Sequence, residues 1–372
     1  MEYEVDYESN LTTLQNALET KTYQIDRSVC FVVKRPKIRE IFAASFGDRI
    51  VHHLLVAQIE KHFEKRFIYD SCACRKNKGS HFAVERLKKH IRQSTKNGTL
   101  NCYYLQLDIK SFFPTIDKEI LFDTIKRNIK QPNILWLAHL IIYNDPTQNY
   151  QMKGDKKLFD MVPPNKTLFK APKSKGLPIG NLTSQFFANI YLNELDQFVK
   201  RQLKVKYYLR YVDDFVLLSR NKNELLKWRE QIQDFLHQKL KLDLHLNKDR
   251  LGSVYQGVDF VGYVVKPGCV LSRKRVVNSL KTKLFYYNQG KIPLHKMQAT
   301  VNSYYGHFKH ANSYRLRKNI YEKHFGKLKE HLSPVGDYQY FTNVKPKSRN
   351  ICGIVPKPTP LIFSGKKLSK KL

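Results

Sequence analysis

Two adjacent carboxylates, Asp213 and Asp214, are the residues whose types and spacing most directly indicate chemistry. They lie between two runs rich in aromatic and β-branched residues, 205–211 and 215–219, a pattern that predicts a β-hairpin with acids at its tip. Adjacent carboxylates repel each other and favour a divalent cation. Hard oxygen ligands suit Mg²⁺, which keeps waters and takes further ligands from substrate phosphates. The alternative is a polar hairpin turn, where Asp is common.

A third acid, Asp108, ends an apolar run that begins at Tyr103 and reads as a strand. Two acid-bearing strands could meet at one sheet edge and hold two metals roughly 3.5–4 Å apart, as polymerases do for in-line phosphoryl transfer. In such a site one ion lowers the pKa of the attacking hydroxyl, and the other neutralises charge on the leaving pyrophosphate.

At this point the sequence resembles a reverse transcriptase, from about Lys34 to Arg317. Six blocks in chain order carry the resemblance: residues 35–41, 79–81, 107–113, 176–185, 211–214 and 257–263. The resemblance implies an α/β (α+β) right-hand polymerase. It would have fingers, a palm built on an antiparallel sheet with helices on one face, and a helical thumb.

The resemblance also implies a role for individual residues. Asp108, Asp213 and Asp214 would be catalytic and bind two Mg²⁺ ions, for which Mn²⁺ could substitute, together with the backbone carbonyl of Ile109. Residues expected to bind the nucleotide are Arg35, Lys37, Arg39, Phe113, Ile179, Gly180, Gln185 and Arg250, the last standing where relatives usually carry Lys. Residues expected to bind nucleic acid are Arg75, Tyr211, Gly262, Tyr263, Arg273, Lys274, Arg275, Lys281 and Lys283.

Within this superfamily the sequence is most similar to reverse transcriptases of diversity-generating retroelements. Ser184-Gln185 replaces the usual Ser-Pro, Ile179 replaces the usual Gln, and residues 303–314 look like the start of that family's thumb. The resemblance implies low-fidelity copying of a template-repeat RNA into cDNA, mainly at adenines, for mutagenic retrohoming. Expected partners are the template RNA, primer and cDNA, dNTPs, and a small basic accessory variability protein that forms an oligomeric helical bundle.

Two alternatives remain open. One is a reverse transcriptase of retron, group II intron-like or phage-defence type. The other is a non-catalytic RNA-binding scaffold, although such a protein would have no reason to keep three repelling acids together.

The charge of the chain is consistent with a polyanionic partner. The net charge is +34, and residues 266–372 contain 23 Lys and Arg against three acids, a net of +20. Aromatic residues such as Phe285, Tyr304 and Phe308 are interleaved with these cations. Stacking on bases together with neutralisation of phosphates commonly explains that mixture.

The sequence predicts four regions. They are an N-terminal segment and fingers (1–100), a palm (101–265), a basic helical thumb (266–332) and a Pro/Lys-rich tail (333–372). Within the palm we expect a helix capped by Asp117, a long polar loop at 144–175, a helix at 182–200 and a hairpin at 257–265. The acidic N-terminus and the lack of a long apolar run predict a cytoplasmic protein without membrane contact.

Overall fold

The computed structural model describes residues 5–34, 37–245 and 248–344. None of the helices in these ranges is both long enough and apolar enough to cross a membrane. The α-helices are Tyr7–Glu19, Phe46–Glu64, Ser80–Ser94, Phe112–Thr115, Lys118–Asn128, Pro132–Tyr143, Lys157–Asp160, Leu182–Gln197, Lys222–Leu240, Lys274–Asn288, Leu294–Phe308 and Tyr314–His324. The strands are β1 Ser28–Val33, β2 Arg39–Ala43, β3 Tyr103–Asp108, β4 Tyr150–Met152, β5 Tyr207–Tyr211, β6 Asp214–Ser219, β7 Arg250–Ser253, β8 Val258–Phe260, β9 Tyr263–Val265, β10 Val270–Ser272, β11 Leu332–Val335 and β12 Tyr340–Asn343.

A four-stranded antiparallel sheet in the order β5-β6-β3-β7, here called the catalytic sheet, forms the centre of the molecule. Successive side chains of a strand point to opposite faces. Phe215 and Leu217 therefore pack with the helices Leu182–Gln197 and Lys222–Leu240. Val216 and Leu218 pack with the Ser80–Ser94 helix and with the β8–β9 hairpin. The predicted antiparallel sheet is confirmed, and its second face also carries a helix.

Local sequence signals predict two further elements of the palm. They are the helix that begins after Asp117 and the hairpin at 257–265. Asp117 accepts hydrogen bonds from the backbone N–H groups of Glu119 and Ile120, both at 3.2 Å, so its predicted role as an N-cap is confirmed. The sequence predicts a helix that ends at Lys200. The α-helix ends three residues earlier, at Gln197, and a π-helical turn, Phe198–Gln202, follows it. The predicted hairpin at 257–265 is present as β8–β9.

The predicted polar loop at residues 144–175, here called the strap, has structure of its own. Its strand β4 pairs parallel with β1, which pairs antiparallel with β2. The strap then forms a short helix, Lys157–Asp160, and two 3₁₀ turns. The sequence lacks periodicity here because each of these elements is only three or four residues long.

The C-terminal unit is a separate hydrophobic cluster formed by three helices and the β11–β12 hairpin. Leu332 is fully buried and Phe341 is 2% exposed. The prediction that a tail begins at Ser333 is therefore corrected, because burial of Phe341 attaches residues up to Asn343 to the helices. Residues 345–372 of the predicted tail lie outside the described residues.

A buried ion pair lies beneath the catalytic sheet. The Arg210 guanidinium donates to both carboxylate oxygens of Asp196, at 2.8 and 2.6 Å, and the two side chains are 1% and 0% exposed. Tyr208 Oη donates to the same carboxylate at 2.7 Å. The remaining guanidinium hydrogens go to Ser71 Oγ, Asn189 Oδ1 and the Val212 carbonyl.

Removal of one partner from this pair leaves a buried charge without compensation. Asp196→Ala should therefore lower the free energy of unfolding by about 3–5 kcal/mol, as measured by denaturant titration. Tyr208→Phe, which removes only one hydrogen bond to the same carboxylate, is the matched control and should cost about 1 kcal/mol. Equal effects of the two substitutions would contradict this assignment.

Candidate functional site

The carboxylates are brought together by strand register and by a strained turn. β3 pairs with β6 so that Asp108 lies directly opposite Asp214. The turn between β5 and β6 consists of Val212 and Asp213, and Val212 has a φ of 56°, in the left-handed region. The Val212 carbonyl accepts from Arg210 Nη1 at 2.9 Å, and the Asp213 carbonyl accepts from the Ile109 N–H at 3.2 Å. The turn is thus fixed from both sides.

Burial and repulsion make this cluster electrostatically unfavourable without a cation. Burial, reinforced by the charge of Asp108, raises the pKa of Asp213 to about 6. Burial also raises the pKa of Asp214 to about 7, with added repulsion from Asp108 and Asp213. Gln106 Nε2 donates to both oxygens of Asp214, at 2.9 and 3.1 Å, and opposes this shift.

The cation that meets these acids in the structure is Lys248, whose Nζ forms an ion pair with Asp108 Oδ2. Lys37 lies nearby. Burial lowers the pKa of the Lys37 ammonium, with further lowering by the charges of Lys248, Arg39 and Lys166. Lys248 and Lys37 therefore both place positive charge near Asp108.

The donor set fits a divalent metal ion that also binds substrate. Asp108 and Asp213 supply hard, mutually repelling carboxylate oxygens, and Lys248 marks the position where positive charge is favoured. Within the described residues no three His, Cys, Asp or Glu side chains surround a common point. A metal here would need water and phosphate oxygens to complete its ligands, as Mg²⁺ commonly does.

A cleft of about 470 Å³ opens above the acids. Eleven of the residues predicted to form the site line it: Lys37, Arg39, Asp108, Ile109, Phe113, Ile179, Gly180, Gln185, Tyr211, Asp213 and Asp214. Residues that the sequence analysis took from four separated segments therefore line one cavity. Their individual roles remain predictions.

The wall opposite the acids is held by a close backbone contact. Gly180 has a φ of +135°, and a Cβ at this position would lie 2.5 Å from the carbonyl oxygen of Phe42. The Phe42 N–H donates to the Ile179 carbonyl at 2.8 Å. Only glycine allows this approach, which presents the partly exposed Ile179 side chain to the cleft.

Residues 32–265 of the chain match the family model described as reverse transcriptase (RNA-dependent DNA polymerase). This match covers more than half of the sequence and includes all three acids and the cleft. The chain belongs to the reverse transcriptase family. It is an RNA-directed DNA polymerase with a right-hand polymerase fold, and divalent metal ions are generally used by reverse transcriptase domains.

Curated relatives of this reverse transcriptase include two bacterial proteins. Protein YkfC of Escherichia coli is 24% identical over 277 residues, covering 66% of this chain and 68% of YkfC. The group II intron-encoded protein LtrA of Lactococcus lactis is 22% identical over 293 residues, covering 62% of this chain but 45% of LtrA. The chain thus spans less than half the length of LtrA.

Among solved structures, apo telomerase from Candida tropicalis is similar, with a TM-score of 0.48 and 14% identity, covering 82% of this chain and 58% of that chain. Telomerase from Candida albicans gives a TM-score of 0.44 and 12% identity, covering 85% of this chain and 62% of that chain. At TM-scores below 0.5 this likeness supports no conclusion.

Three residues that the sequence analysis assigned to the site, Arg75, Tyr263 and Arg250, do not line the cleft. The prediction for Arg75 is corrected, because its side chain is 6% exposed and donates to Glu64 and to the carbonyls of Ile68 and Ser71. Tyr263 is 1% exposed, and its hydroxyl donates to the His307 carbonyl at 3.0 Å, so its ring is part of the core.

Arg250 is also displaced from the predicted nucleotide site. It lies on the edge strand β7, outside the cleft, and its Nη1 is 3.5 Å from Asp259. Lys248, two residues earlier in the chain, is the lysine that forms an ion pair with Asp108.

The remaining predicted residues lie at the edge of the site or beyond it. Gly262 forms the β8–β9 turn with a φ of +93° and packs against His307. Arg273 forms an ion pair with Asp259. On the Lys274–Asn288 helix, Lys274 and Arg275 are exposed, Lys281 and Lys283 are partly exposed, and Lys283 Nζ lies 5.0 Å from the centre of the Tyr304 ring. Arg35 lies outside the described residues.

The sequence analysis did not identify three residues of the site, Lys248, Gln106 and the strap residue Lys166. Lys248 and Lys166 line the cleft, and Gln106 donates a hydrogen bond to Asp214. Gln106 could have been noticed, since it lies two residues before Asp108 and so on the same face of β3. No local pattern identifies Lys248 or Lys166, because only the tertiary fold brings them to the acids.

Phe113 provides a direct test of the site's geometry. Its ring is partly exposed in the cleft and packs 5.4 Å from the buried Phe112 ring. The family resemblance implies that this ring abuts the C2′ of the nucleotide sugar and excludes a 2′-hydroxyl. Phe113→Ala should therefore open space beside C2′ and reduce the dNTP-to-rNTP efficiency ratio at least about tenfold. Single-nucleotide incorporation kinetics with matched dNTP and rNTP measure it, and an unchanged ratio would assign Phe113 to the core alone.

Proposed function

We propose that this reverse transcriptase is of the diversity-generating retroelement type and copies a template-repeat RNA into cDNA with low fidelity, mainly at adenines. The cDNA would serve mutagenic retrohoming. The proposed cofactors are two Mg²⁺ ions, for which Mn²⁺ could substitute. The proposed partners are the template RNA, a primer, dNTPs and a small basic accessory protein, acting in the cytoplasm.

The observation that carries this proposal is the apolar side chain of Ile179 in the wall of the cleft. The Ile179 carbonyl accepts a hydrogen bond from the Phe42 N–H, and the following Gly180 packs directly against the Phe42 backbone. The backbone that carries the Ile179 side chain is therefore fixed. In the proposal this side chain would face the nascent base pair, to which it offers no hydrogen-bonding group. A glutamine there could bond only to correctly seated partners, and its loss would cost about 1–3 kcal/mol of discrimination.

In the proposed mechanism the acids hold the ions and the cations hold the substrate. Asp108 and Asp213 would bind both metals with the Ile109 carbonyl, and Gln106 would keep Asp214 oriented beside them. When bound, the ions lower the pKa of the primer hydroxyl and neutralise the leaving pyrophosphate. Lys37 and Arg39 would bind the triphosphate, and Phe113 would exclude a ribose 2′-hydroxyl.

Nucleic acid would leave the cleft along the basic C-terminal unit. The proposed contacts are Tyr211, which lines the cleft, Gly262 in the β8–β9 turn, and the exposed Lys274 and Arg275. Phosphate neutralisation by such residues supplies binding that is independent of sequence.

A group II intron-like function is the second candidate, because curated relatives include proteins named for introns, among them LtrA and a nuclear intron maturase of Arabidopsis thaliana. Such an enzyme would copy its template without a bias toward errors at adenine. The fidelity measurement below therefore distinguishes the two candidates.

Polymerase chemistry at the acids is tested by Asp213→Asn. Loss of one ligand charge should abolish divalent-dependent dNTP incorporation on a primed RNA template and leave RNA affinity nearly unchanged, since the basic surface is intact. Asp234→Asn on the Lys222–Leu240 helix, outside the cleft, is the matched control and should retain activity. Robust DNA synthesis by Asp213→Asn would contradict the assignment of Asp213 as a metal-binding catalytic residue.

The error-prone function is tested by Ile179→Gln. The new amide should reduce misinsertion opposite template adenine several-fold, with a smaller change opposite other bases. Sequencing of cDNA made from one adenine-containing RNA measures this effect. Ile38→Gln places the same amide elsewhere in the cleft and controls for a general effect of polarity.

Equal adenine error rates in the wild type and Ile179→Gln would remove Ile179 from the mechanism. Faithful copying of adenine by the wild type would favour the intron-like, retron or defence alternatives.

A further inference from the structure

The strap is attached to strand β2 by a buried carboxylate. Glu40 of β2 is 5% exposed and accepts hydrogen bonds from Thr167 Oγ1 at 2.6 Å and from the Leu168 N–H at 3.0 Å. Charge-assisted bonds of this kind are among the stronger ones in proteins. The strap is therefore held against the β1–β2 sheet immediately after Lys166.

A second attachment lies immediately before Lys166. Asn165 Nδ2 donates to Ser111 Oγ at 2.7 Å. Ser111 has a φ of 50°, in the left-handed region, and lies between Asp108 and Phe113 in the chain. Asn165 thus connects the strap to the turn that carries an acid on one side and the predicted sugar-contacting ring on the other.

Lys166 is held between these two attachments and has a fixed backbone. Its N–H donates to the Pro163 carbonyl at 2.8 Å within a 3₁₀ turn. The side chain is exposed and lines the same cleft as Lys37, and its charge contributes to the lowered pKa of Lys37. No carboxylate in the described ranges forms an ion pair with it. Cations that line the same cleft favour an anionic ligand there.

We propose that Lys166 binds the phosphates of the incoming deoxynucleoside triphosphate, and that the Asn165–Ser111 hydrogen bond positions it. The inference rests on the polymerase function and adds a specific residue to it. A triphosphate, rather than the template backbone, fits this position because Lys166 follows the residue bonded to Ser111, beside Asp108 and Phe113. The reacting end of a nucleotide would lie between those two side chains.

The test compares Lys166→Gln with Lys170→Gln, in the full-length protein on a primed RNA template. Lys170 is an exposed lysine of the same strap that does not line the cleft. Loss of one charge-assisted contact should raise the KM for dNTP about tenfold and weaken inhibition by inorganic pyrophosphate by a similar factor. The kcat and the Kd for template–primer should remain within about twofold. Lys166→Arg should restore the KM.

Two outcomes would overturn the inference. One is an unchanged KM in Lys166→Gln. The other is an equal rise in the KM for dNTP and the Kd for template–primer, which would place Lys166 on the template instead. Asn165→Ala should raise the KM less than Lys166→Gln, because it loosens the lysine without removing its charge.

Equilibrium binding of a nonhydrolysable dNTP to the template–primer complex separates this inference from the polymerase assignment. A wild-type protein that binds the analogue but makes no DNA would contradict the polymerase function alone. Equal affinity of the wild type and Lys166→Gln for the analogue would contradict the role of Lys166 alone.

Discussion

The mutual repulsion of Asp108, Asp213 and Asp214 is the constraint on which the rest of the structure depends. Left to themselves, three partly buried carboxylates would separate or take up protons, and the raised pKa values of Asp213 and Asp214 reflect that tendency. Strand register holds Asp108 opposite Asp214. The buried Arg210–Asp196 pair supports the turn that carries Asp213, since Arg210 also donates to the Val212 carbonyl.

Positive charge around the cleft offsets this repulsion and prepares the site for an anionic substrate. Lys248 pairs with Asp108, and Lys37, Arg39 and Lys166 line the same cavity from two other segments. Arg39 lies on β2 and Lys37 just before it, Lys166 lies in the strap, and Lys248 lies just before β7. The strap is joined to the β1–β2 sheet through Glu40 and through the pairing of β4 with β1, so the two form one wall.

The sequence predicted the parts of the fold that depend on local pattern. The β5–β6 hairpin, the Asp117 cap and the β8–β9 hairpin were predictable because strand alternation and capping act over a few residues. The strap and the β11–β12 hairpin were not, because their short elements are stabilised by distant partners such as Glu40 and the C-terminal helices. Arg75 shows the opposite failure, since a basic residue within a family block proved to be a buried structural arginine.

We propose that the three acids form a divalent metal site completed by substrate phosphates. Binding of Mn²⁺ to the protein on template–primer, measured by electron paramagnetic resonance with and without a nonhydrolysable dNTP, tests it most directly. The account predicts weak binding without nucleotide and about two tightly bound ions with it, both lost in Asp108→Asn. Mn²⁺ binding that is independent of nucleotide, or unchanged in Asp108→Asn, would contradict it.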